Sequence, residues 1–288
     1  MGIKKYVKRV GRYLLKGIPE NHITTNIVTI APNELLKGRK ALITGGTSGI
    51  GYAIASVFLK SGASVTITGR TELKLENSIK KLAEENPFAK DRISFVVMNN
   101  KDVSSFRTLF DNYPILKEID LLVNNAGVLG GDISKVTEEE YDNILGTNLK
   151  GTFFLSQLVA RNMKERGIKG NILNIASSSS LRPAASAYTI SKWGIRGLTL
   201  GLAKMLTPYG ITVNGLAPGP TATSMLIKGE IKEITLDNNP VGRYAMPEEI
   251  ANMAVVLTSA IGRMVVGDIV YMTGGSGLVT FDDIHYQF

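Results

Sequence analysis

Short apolar runs alternate with longer amphipathic segments along most of the chain. The apolar runs occupy residues 41–43, 64–68, 93–97, 119–123, 172–175, 211–216 and 269–271. Between them, apolar residues recur at helical spacing, as in residues 50–59 and 72–85. Strands that alternate with helices build a parallel sheet that is covered on both faces. The pattern therefore predicts an α/β fold with one doubly wound, seven-stranded parallel sheet in a single domain, residues 38–288.

The composition removes several kinds of chemistry from consideration. Of the 288 residues, 44% are hydrophobic and 20% are charged, as in ordinary soluble globular proteins, and no apolar run is long enough for a membrane-spanning helix. There is no cysteine, so disulfides, thiolate catalysis and zinc–thiolate sites are excluded. The two histidines, His22 and His285, lie near opposite ends of the chain, and we expect no metal site. The lack of cysteine fits a reducing compartment, which favours a cytoplasmic location.

Basic residues are concentrated at the start of the chain, where residues 1–20 carry +5 of the net charge of +8. Within residues 1–17, apolar side chains recur near helical spacing with basic side chains between them, which is compatible with peripheral contact with an anionic membrane. An arm packed on another subunit or a frayed terminus explains the same pattern. We therefore treat residues 1–37 as an N-terminal extension whose role is open. The mild charge of the remaining chain predicts no nucleic-acid partner.

A glycine-rich turn follows the first predicted strand, with the sequence Thr44-Gly45-Gly46-Thr47-Ser48-Gly49-Ile50-Gly51. Glycine allows a phosphate to approach the backbone, and the helix that follows offers unpaired N–H groups and a positive dipole end. At the first turn of a βαβ unit, this favours a dinucleotide site over a turn that only packs helix on strand.

The end of the second predicted strand indicates which dinucleotide is bound. An NAD site usually has an acidic residue there, but this strand ends at Thr68-Gly69-Arg70, and no acidic residue lies between Gly51 and Glu72. A guanidinium attracts the 2′-phosphate that a carboxylate would repel. We therefore expect NADP, with NAD as the less favoured cofactor.

Tyr188 and Lys192 are four residues apart and share one face of a predicted helix. A free tyrosine has a pKa of about 10, and a nearby ammonium favours the phenolate and lowers that pKa. Tyr188 could then exchange a proton with a substrate oxygen. An exposed pair on a helix surface would give the same spacing, so the interpretation depends on the surrounding residues.

Polar residues follow two other predicted strands. The strand over 172–175 leads into Ala176 and four serines, residues 177–180, and the strand over 119–123 leads into Asn124-Asn125-Ala126-Gly127. Carboxyl ends of strands are where open α/β sheets bind ligands, so a serine there could donate to a carbonyl oxygen. Asn148 lies in a helical stretch, an unfavourable place for asparagine, and a buried hydrogen bond is the plainest reason for it.

The order and spacing of these motifs over about residues 38–277 resemble the short-chain dehydrogenase/reductase superfamily, in its one-domain TGxxxGxG branch. The resemblance implies a Rossmann-like fold and hydride transfer between NAD(P) and an alcohol or ketone. It implies a catalytic tetrad of Asn148, Ser177, Tyr188 and Lys192, with Ser178 as the second choice for the serine. The residues expected to contact the cofactor are Gly45, Thr47, Ser48, Gly49, Ile50, Gly51, Arg70, Asp102, Val103, Asn125, Ala126, Gly127, Tyr188, Lys192, Pro218, Gly219, Thr221 and Thr223.

The expected function is an NADP-dependent oxidoreductase acting on a small carbonyl or alcohol substrate. A ketone, a 3-oxoacyl thioester, a steroid and a sugar all remain open, and the resemblance implies a homotetramer or homodimer. The loop between Ser177 and Tyr188 is about two residues shorter than is usual in the family. The alternative function is a non-catalytic, NADP-binding regulatory or scaffold protein, which the basic extension would suit.

Overall fold

The computed structural model describes residues 32–226 and 234–278. The predicted amphipathic segment over 1–17 and most of the extension over 1–37 lie outside the described residues. Leu36 is described: it is fully buried in the core, and its N–H donates to the Ser61 carbonyl oxygen over 2.8 Å. The domain boundary at residue 38 stays a prediction.

Seven parallel strands form one sheet in the order β3-β2-β1-β4-β5-β6-β7, as the alternation of apolar runs predicted. The strands are β1 (Lys40–Ile43), β2 (Ser64–Gly69), β3 (Ile93–Val97), β4 (Leu121–Asn124), β5 (Asn171–Ile175), β6 (Thr212–Pro218) and β7 (Ile269–Met272). The order reverses beside β1, where the chain moves from one half of the sheet to the other. Ligands of open α/β sheets bind at such a switch point, outside the carboxyl ends of the strands.

The described helices cover the two faces of the sheet. They are α1 (Gly49–Lys60), α2 (Glu72–Glu85), α3 (Phe106–Asn112), α4 (Glu138–Leu145), α5 (Gly151–Glu165), α6 (Ala187–Leu206) and α7 (Pro247–Thr258). Residues Gly146–Lys150 form a π-helical turn that joins α4 to α5 without a break. Within the described residues, no helix combines the length and the apolar character that crossing a lipid bilayer requires.

Side chains of β1 alternate between two hydrophobic cores because successive residues of a strand face opposite sides of the sheet. Ile43 packs in the core that contains Phe58 of α1. Its neighbour Leu42 packs in the core that contains Val159 of α5. Burial of apolar area on both faces holds the sheet between its helices and fixes the register of each strand.

Polar bonds join the amino ends of three strands. Arg39 donates from Nε to Oδ2 of Asp120 over 2.7 Å and from NH2 to Oδ1 of Asn171 over 2.7 Å, while the Lys40 N–H donates to Asp120 Oδ1 over 2.8 Å. Strand β4 begins at Leu121, two residues later than the apolar run predicted, because the run starts directly after the short helix Pro114–Glu118. At the opposite edge, where the strands end, the loops that follow the strands form the surface.

Candidate active site

A cleft of about 440 Å³ opens at the carboxyl edge of the sheet. Its lining comes from the loops that follow the first six strands, and its volume is in the range of small-molecule sites. The structure brings these sequence-predicted residues to the cleft: Gly45, Thr47, Ser48, Gly49, Ile50, Arg70, Asn125, Ala126, Gly127, Ser177, Tyr188, Lys192, Pro218, Gly219, Thr221 and Thr223. The tyrosine–lysine pair therefore belongs to a cleft and is not an exposed pair on a helix surface.

The glycine-rich turn forms one end of this cleft. Gly45 and Gly49 have φ of +65° and +55°, a conformation that side chains disfavour. Helix α1 begins at Gly49, and the side chain of Ser48 does not cap it, so the N–H groups of the first turn remain available. A Cβ on Gly45 would lie 3.0 Å from Cα of Ala126, so the turn also packs closely on the loop after β4. This cradle fits the pyrophosphate of a dinucleotide.

Ser177 and Tyr188 meet at the other end of the cleft. Both side chains line the cleft, and interaction with the Ser177 hydroxyl opposes the rise that burial causes in the pKa of the Tyr188 phenol. Ser177 Oγ accepts the N–H of Ser179 over 3.1 Å, which leaves the hydroxyl proton of Ser177 free to be donated. The interaction with the phenol favours Ser177 over Ser178, although Ser178 also lines the cleft.

Burial governs the titration of Tyr188 and Lys192. Burial raises the pKa of the Tyr188 phenol, and the hydrogen bond from Ser177 offsets part of that rise. The sequence had predicted the opposite direction, with the Lys192 ammonium lowering the pKa of Tyr188. Lys192 Nζ lies 5.6 Å from the centre of the Tyr188 ring and donates to the Ile175 carbonyl oxygen over 2.8 Å. Burial lowers the pKa of Lys192 itself to about 8, and the shift at Tyr188 comes from burial and Ser177 and not from the Lys192 charge.

A family profile described as short chain dehydrogenase matches residues 39–233. The chain belongs to this family. A 3alpha-hydroxysteroid dehydrogenase of Mediterraneibacter gnavus is 35% identical over 252 residues, which cover 84% of this chain and 98% of the relative.

Solved structures agree with that assignment. A 3-ketoacyl-(acyl-carrier-protein) reductase from Brucella melitensis complexed with NADH has a TM-score of 0.74 at 29% identity, covering 84% of this chain and 100% of that chain. An actinorhodin polyketide ketoreductase with NADPH has a TM-score of 0.74 at 31% identity, covering 83% and 97%. This short-chain dehydrogenase is an oxidoreductase that acts on CH–OH or carbonyl groups, and the predicted family, fold class and enzyme class are confirmed.

Asn148 of this short-chain dehydrogenase lies beside the cleft, in the π-helical turn between α4 and α5. Its Oδ1 accepts the N–H of Val128 over 2.8 Å, and its Nδ2 donates to the Val128 carbonyl over 3.0 Å and to Ser191 Oγ over 3.1 Å. The buried hydrogen bond that the sequence predicted for Asn148 is therefore present. The side chain joins the loop after β4 to the helix that carries Tyr188, and π-turns often occur at such functional positions.

Gly51 packs against Asn125 and the Gly45 carbonyl of the glycine-rich turn and does not line the cleft. A Cβ on Gly51 would lie 2.3 Å from Asn125 Nδ2 and 2.5 Å from the Gly45 carbonyl oxygen. Asn125 Nδ2 donates to the carbonyls of Thr44 and Gly45 over 2.9 and 3.1 Å. The absence of a side chain at Gly51 lets Asn125 hold the turn, so Gly51 acts on the cofactor site through Asn125.

Asp102 and Val103, for which the sequence predicts cofactor contact, are not among the residues that line the cleft. Asp102 Oδ1 accepts the hydroxyl of Ser104 over 2.6 Å, and this bond lowers the pKa of the Asp102 carboxyl. The cleft is lined there by Met98, Asn99 and Asn100, which directly follow β3. Asp102 comes too late in the loop because the chain has already turned into the short helix Val103–Ser105.

Asn100 is a cleft residue that sequence reasoning missed. It is 5% exposed, its Nδ2 donates to the Thr147 carbonyl over 2.6 Å, and its Oδ1 has no partner among the described residues. A buried acceptor without a partner is costly, which singles out Asn100 among the residues after β3. The sequence could have indicated Asn100 by its position, because Asn99 and Asn100 follow closely after the carboxyl end of β3.

The loop after β6 forms the remaining wall of the cleft. Thr223 approaches the glycine-rich turn, and a Cβ on Gly49 would lie 3.3 Å from Thr223 Cγ2. Thr221 is buried and donates its hydroxyl to the Gly219 carbonyl over 3.0 Å. In the described part of the chain, no group of three or more His, Asp or Glu side chains is arranged to hold a metal ion.

Proposed function

We propose that this short-chain dehydrogenase reduces a small carbonyl compound with NADPH. The observation that carries the proposal is that Ser177 and Tyr188 line one cleft together with the glycine-rich turn at the start of α1. The pair supplies two donors for a carbonyl oxygen, and the turn supplies donors for a pyrophosphate. The cofactor, when bound, supplies the hydride.

The preference for NADPH over NADH rests on Arg70 and on the absence of acid from the described cleft lining. Arg70 is exposed at the end of β2, and neither Asp nor Glu occurs among the described lining residues. A guanidinium can bind a 2′-phosphate through two parallel hydrogen bonds. We assign the adenine side of the cofactor to Asn99 and Asn100, and the nicotinamide side to the loop Pro218–Thr223.

Proton transfer in the proposed reaction begins from a protonated phenol. Because burial raises the pKa of Tyr188, the phenol keeps its proton at neutral pH and can give it to the developing alkoxide. Ser177 would polarise the same carbonyl oxygen with its free hydroxyl proton. Lys192, whose pKa is lowered to about 8 by burial, gives up a proton more readily than a surface lysine and can restore the proton of Tyr188. Asn148 would position the helix of Tyr188 through Ser191.

We infer the range of possible substrates from the substrates that appear in the names of the relatives. The reported relatives are named for a hydroxysteroid, a 3-ketoacyl group and a polyketide, so a ketone in any of these settings is compatible with this cleft. A sugar ketone, also expected from the sequence, has the same reacting group. The alternative of a non-catalytic NADP-binding protein finds no support in the site, since a lapsed enzyme has no need of a buried Ser177–Tyr188 pair.

A second copy of the chain is the partner we propose for an exposed apolar face of α6 and α5. Trp193 and Leu200 of α6 are 42% and 50% exposed, and Gly197 and Gly201 of the same helix have open space where a side chain would be. Phe153 and Phe154 are exposed on α5. An apolar helix face with small residues suits close helix packing, so we propose a homodimer or homotetramer, to be tested by sedimentation equilibrium. A cytoplasmic location stays a prediction.

The replacement Tyr188→Phe tests the proposed chemistry. It removes the acidic proton and leaves the ring in place, so turnover of a ketone panel with NADPH should fall by about 10²-fold or more. NADPH affinity, measured by nicotinamide fluorescence, should change by only a few fold. The exposed Tyr209→Phe is the matched control and should keep full activity. Undiminished turnover in Tyr188→Phe would refute the assignment.

A further inference from the structure

The charges of the cleft are all of one sign. Its charged lining residues, within the described chain, are Arg70, Arg182 and Lys192. Lys192 is bonded to the Ile175 carbonyl, and Arg70 stands after β2, at the end of the cleft that we assign to the cofactor. Arg182 follows the serine run at the catalytic end. Because no carboxylate lines the described cleft, the positive field around Arg182 is not neutralised there.

Arg182 is held in place by three hydrogen bonds to three different parts of the chain. Its N–H donates to the Ser179 carbonyl over 3.2 Å, its carbonyl accepts Trp193 Nε1 over 2.9 Å, and its NH2 donates to Ser276 Oγ over 3.0 Å. Ser179 is itself bonded to Ser177 Oγ through its N–H over 3.1 Å. The backbone of Arg182 is therefore connected to Ser177 through Ser179, while its guanidinium is held by Ser276.

Most of the hydrogen-bonding capacity of this guanidinium is unused. A guanidinium has five N–H donors, and among the described residues only Ser276 Oγ accepts from that of Arg182. Holding the long Arg182 side chain in one conformation costs conformational entropy. A guanidinium can bind a carboxylate through two parallel hydrogen bonds. Leu129, Met225 and Leu226 line the same cleft and suit a carbon chain between the two polar ends.

We infer that Arg182 binds the carboxylate of the substrate, so that the natural substrate is a keto acid. The ketone would lie at Ser177 and Tyr188, the carbon chain against the apolar wall, and the carboxylate at the guanidinium of Arg182. The inference rests on the proposed carbonyl reduction and adds the substrate class.

Matched pairs of keto acids and their methyl esters test the role of Arg182. The probes are levulinate and its one- and two-carbon homologues, each with its methyl ester, assayed with NADPH. The wild type should prefer each acid over its ester. Arg182→Met should lower kcat/KM for the acids by about 10- to 100-fold, the worth of a hydrogen bond between charged groups, and should leave the esters within a few fold. Arg182→Lys should recover part of the loss.

Arg196→Met is the matched control. Arg196 donates to the Ser180 carbonyl over 3.2 Å and stacks on Trp193 at 5.3 Å, but it does not line the cleft. If Arg196→Met lowers kcat/KM, it should do so equally for acids and esters. The comparison therefore separates a role in supporting the loop from recognition of the carboxylate. Equal losses for acids and esters in Arg182→Met, or a wild-type preference for esters, would overturn the inference.

A binding measurement separates the inference from the proposed reductase activity. If neither acids nor esters are reduced, the carbonyl reduction fails for these probes, and thermal stabilisation by the acids in the presence of NADPH then decides the role of Arg182. Stabilisation of the wild type that is lost in Arg182→Met supports the carboxylate site. Equal stabilisation of both proteins, or none, counts against it.

Discussion

Replacing Lys192 with methionine should remove a rise in stability that the wild type shows at alkaline pH. Lys192 is 6% exposed, and burial lowers its pKa from 10.5 to about 8. Between these two values the unfolded chain holds the lysine proton and the folded chain does not. Stability therefore rises with pH over this window, because the unfolded state binds more protons. Methionine has a similar length and no charge, so the variant lacks this contribution.

The pKa shift sets the size of the effect. Each pKa unit corresponds to about 1.4 kcal/mol, so holding the proton in the fold costs about 3 kcal/mol below pH 8. Methionine removes that cost, but it leaves the Ile175 carbonyl without its donor, which costs about 1–3 kcal/mol. At about pH 7 the two terms nearly cancel. By about pH 9.5 the wild type should have gained about 2 kcal/mol on the variant.

Urea unfolding at both pH values measures this difference directly. The comparison is between wild type and Lys192→Met, with Lys164→Met as the control, since Lys164 is exposed on α5 and its charge stays in water. The control should differ from wild type by the same amount at both pH values. A stability difference between wild type and Lys192→Met that does not change with pH would refute the argument that Lys192 is buried and weakly protonated.

Two further predictions concern the cofactor end of the cleft. Arg70→Gln should raise the KM for NADPH by about 10-fold or more and leave the KM for NADH nearly unchanged, because only NADPH has the 2′-phosphate; a wild-type preference for NADH would contradict the assignment. Asn99→Ala should weaken NADPH binding in a fluorescence titration, whereas Asp102→Ala should not, because the Asp102 carboxylate accepts from Ser104 in its own turn and does not line the cleft. The reverse result would restore the adenine contact that the sequence suggested for Asp102.

The sheet could be predicted because its strands are buried on both faces and read as continuous apolar runs. The apolar runs did not show at which residue each strand begins, or which tertiary hydrogen bonds lie beside it. Ile119 is buried and apolar, yet it precedes β4 and caps the short helix Pro114–Glu118, while the Asp120 side chain accepts bonds from Arg39 and the Lys40 N–H. Such bonds join residues 80 or more positions apart in the chain and leave no local pattern.

The sequence placed the residues that we propose for catalysis in one cleft but did not give the direction of their pKa shifts. Ser177, Tyr188 and Lys192 follow from strand ends and helical spacing, which are local. The direction of the pKa shift of Tyr188 depends on how much of the fold covers the phenol, and the spacing to Lys192 carries no information on that. At Asp102 the residue type suggested contact with the cofactor. The residues that line the cleft there are instead those that directly follow the end of β3.

The π-helical turn Gly146–Lys150 links the two ends of the cleft. On one side, Asn148 bonds to Ser191, whose hydroxyl donates to the Tyr188 carbonyl over 2.6 Å. On the other side, the Thr147 carbonyl accepts from Asn100, and a Cβ on Gly151 would lie 2.0 Å from the Asn100 carbonyl oxygen. Because a π-turn adds a residue to the helix, it can serve both contacts without breaking the helix. The residues proposed for adenine and those proposed for proton transfer are thus held by one rigid element, which fixes the distance between them.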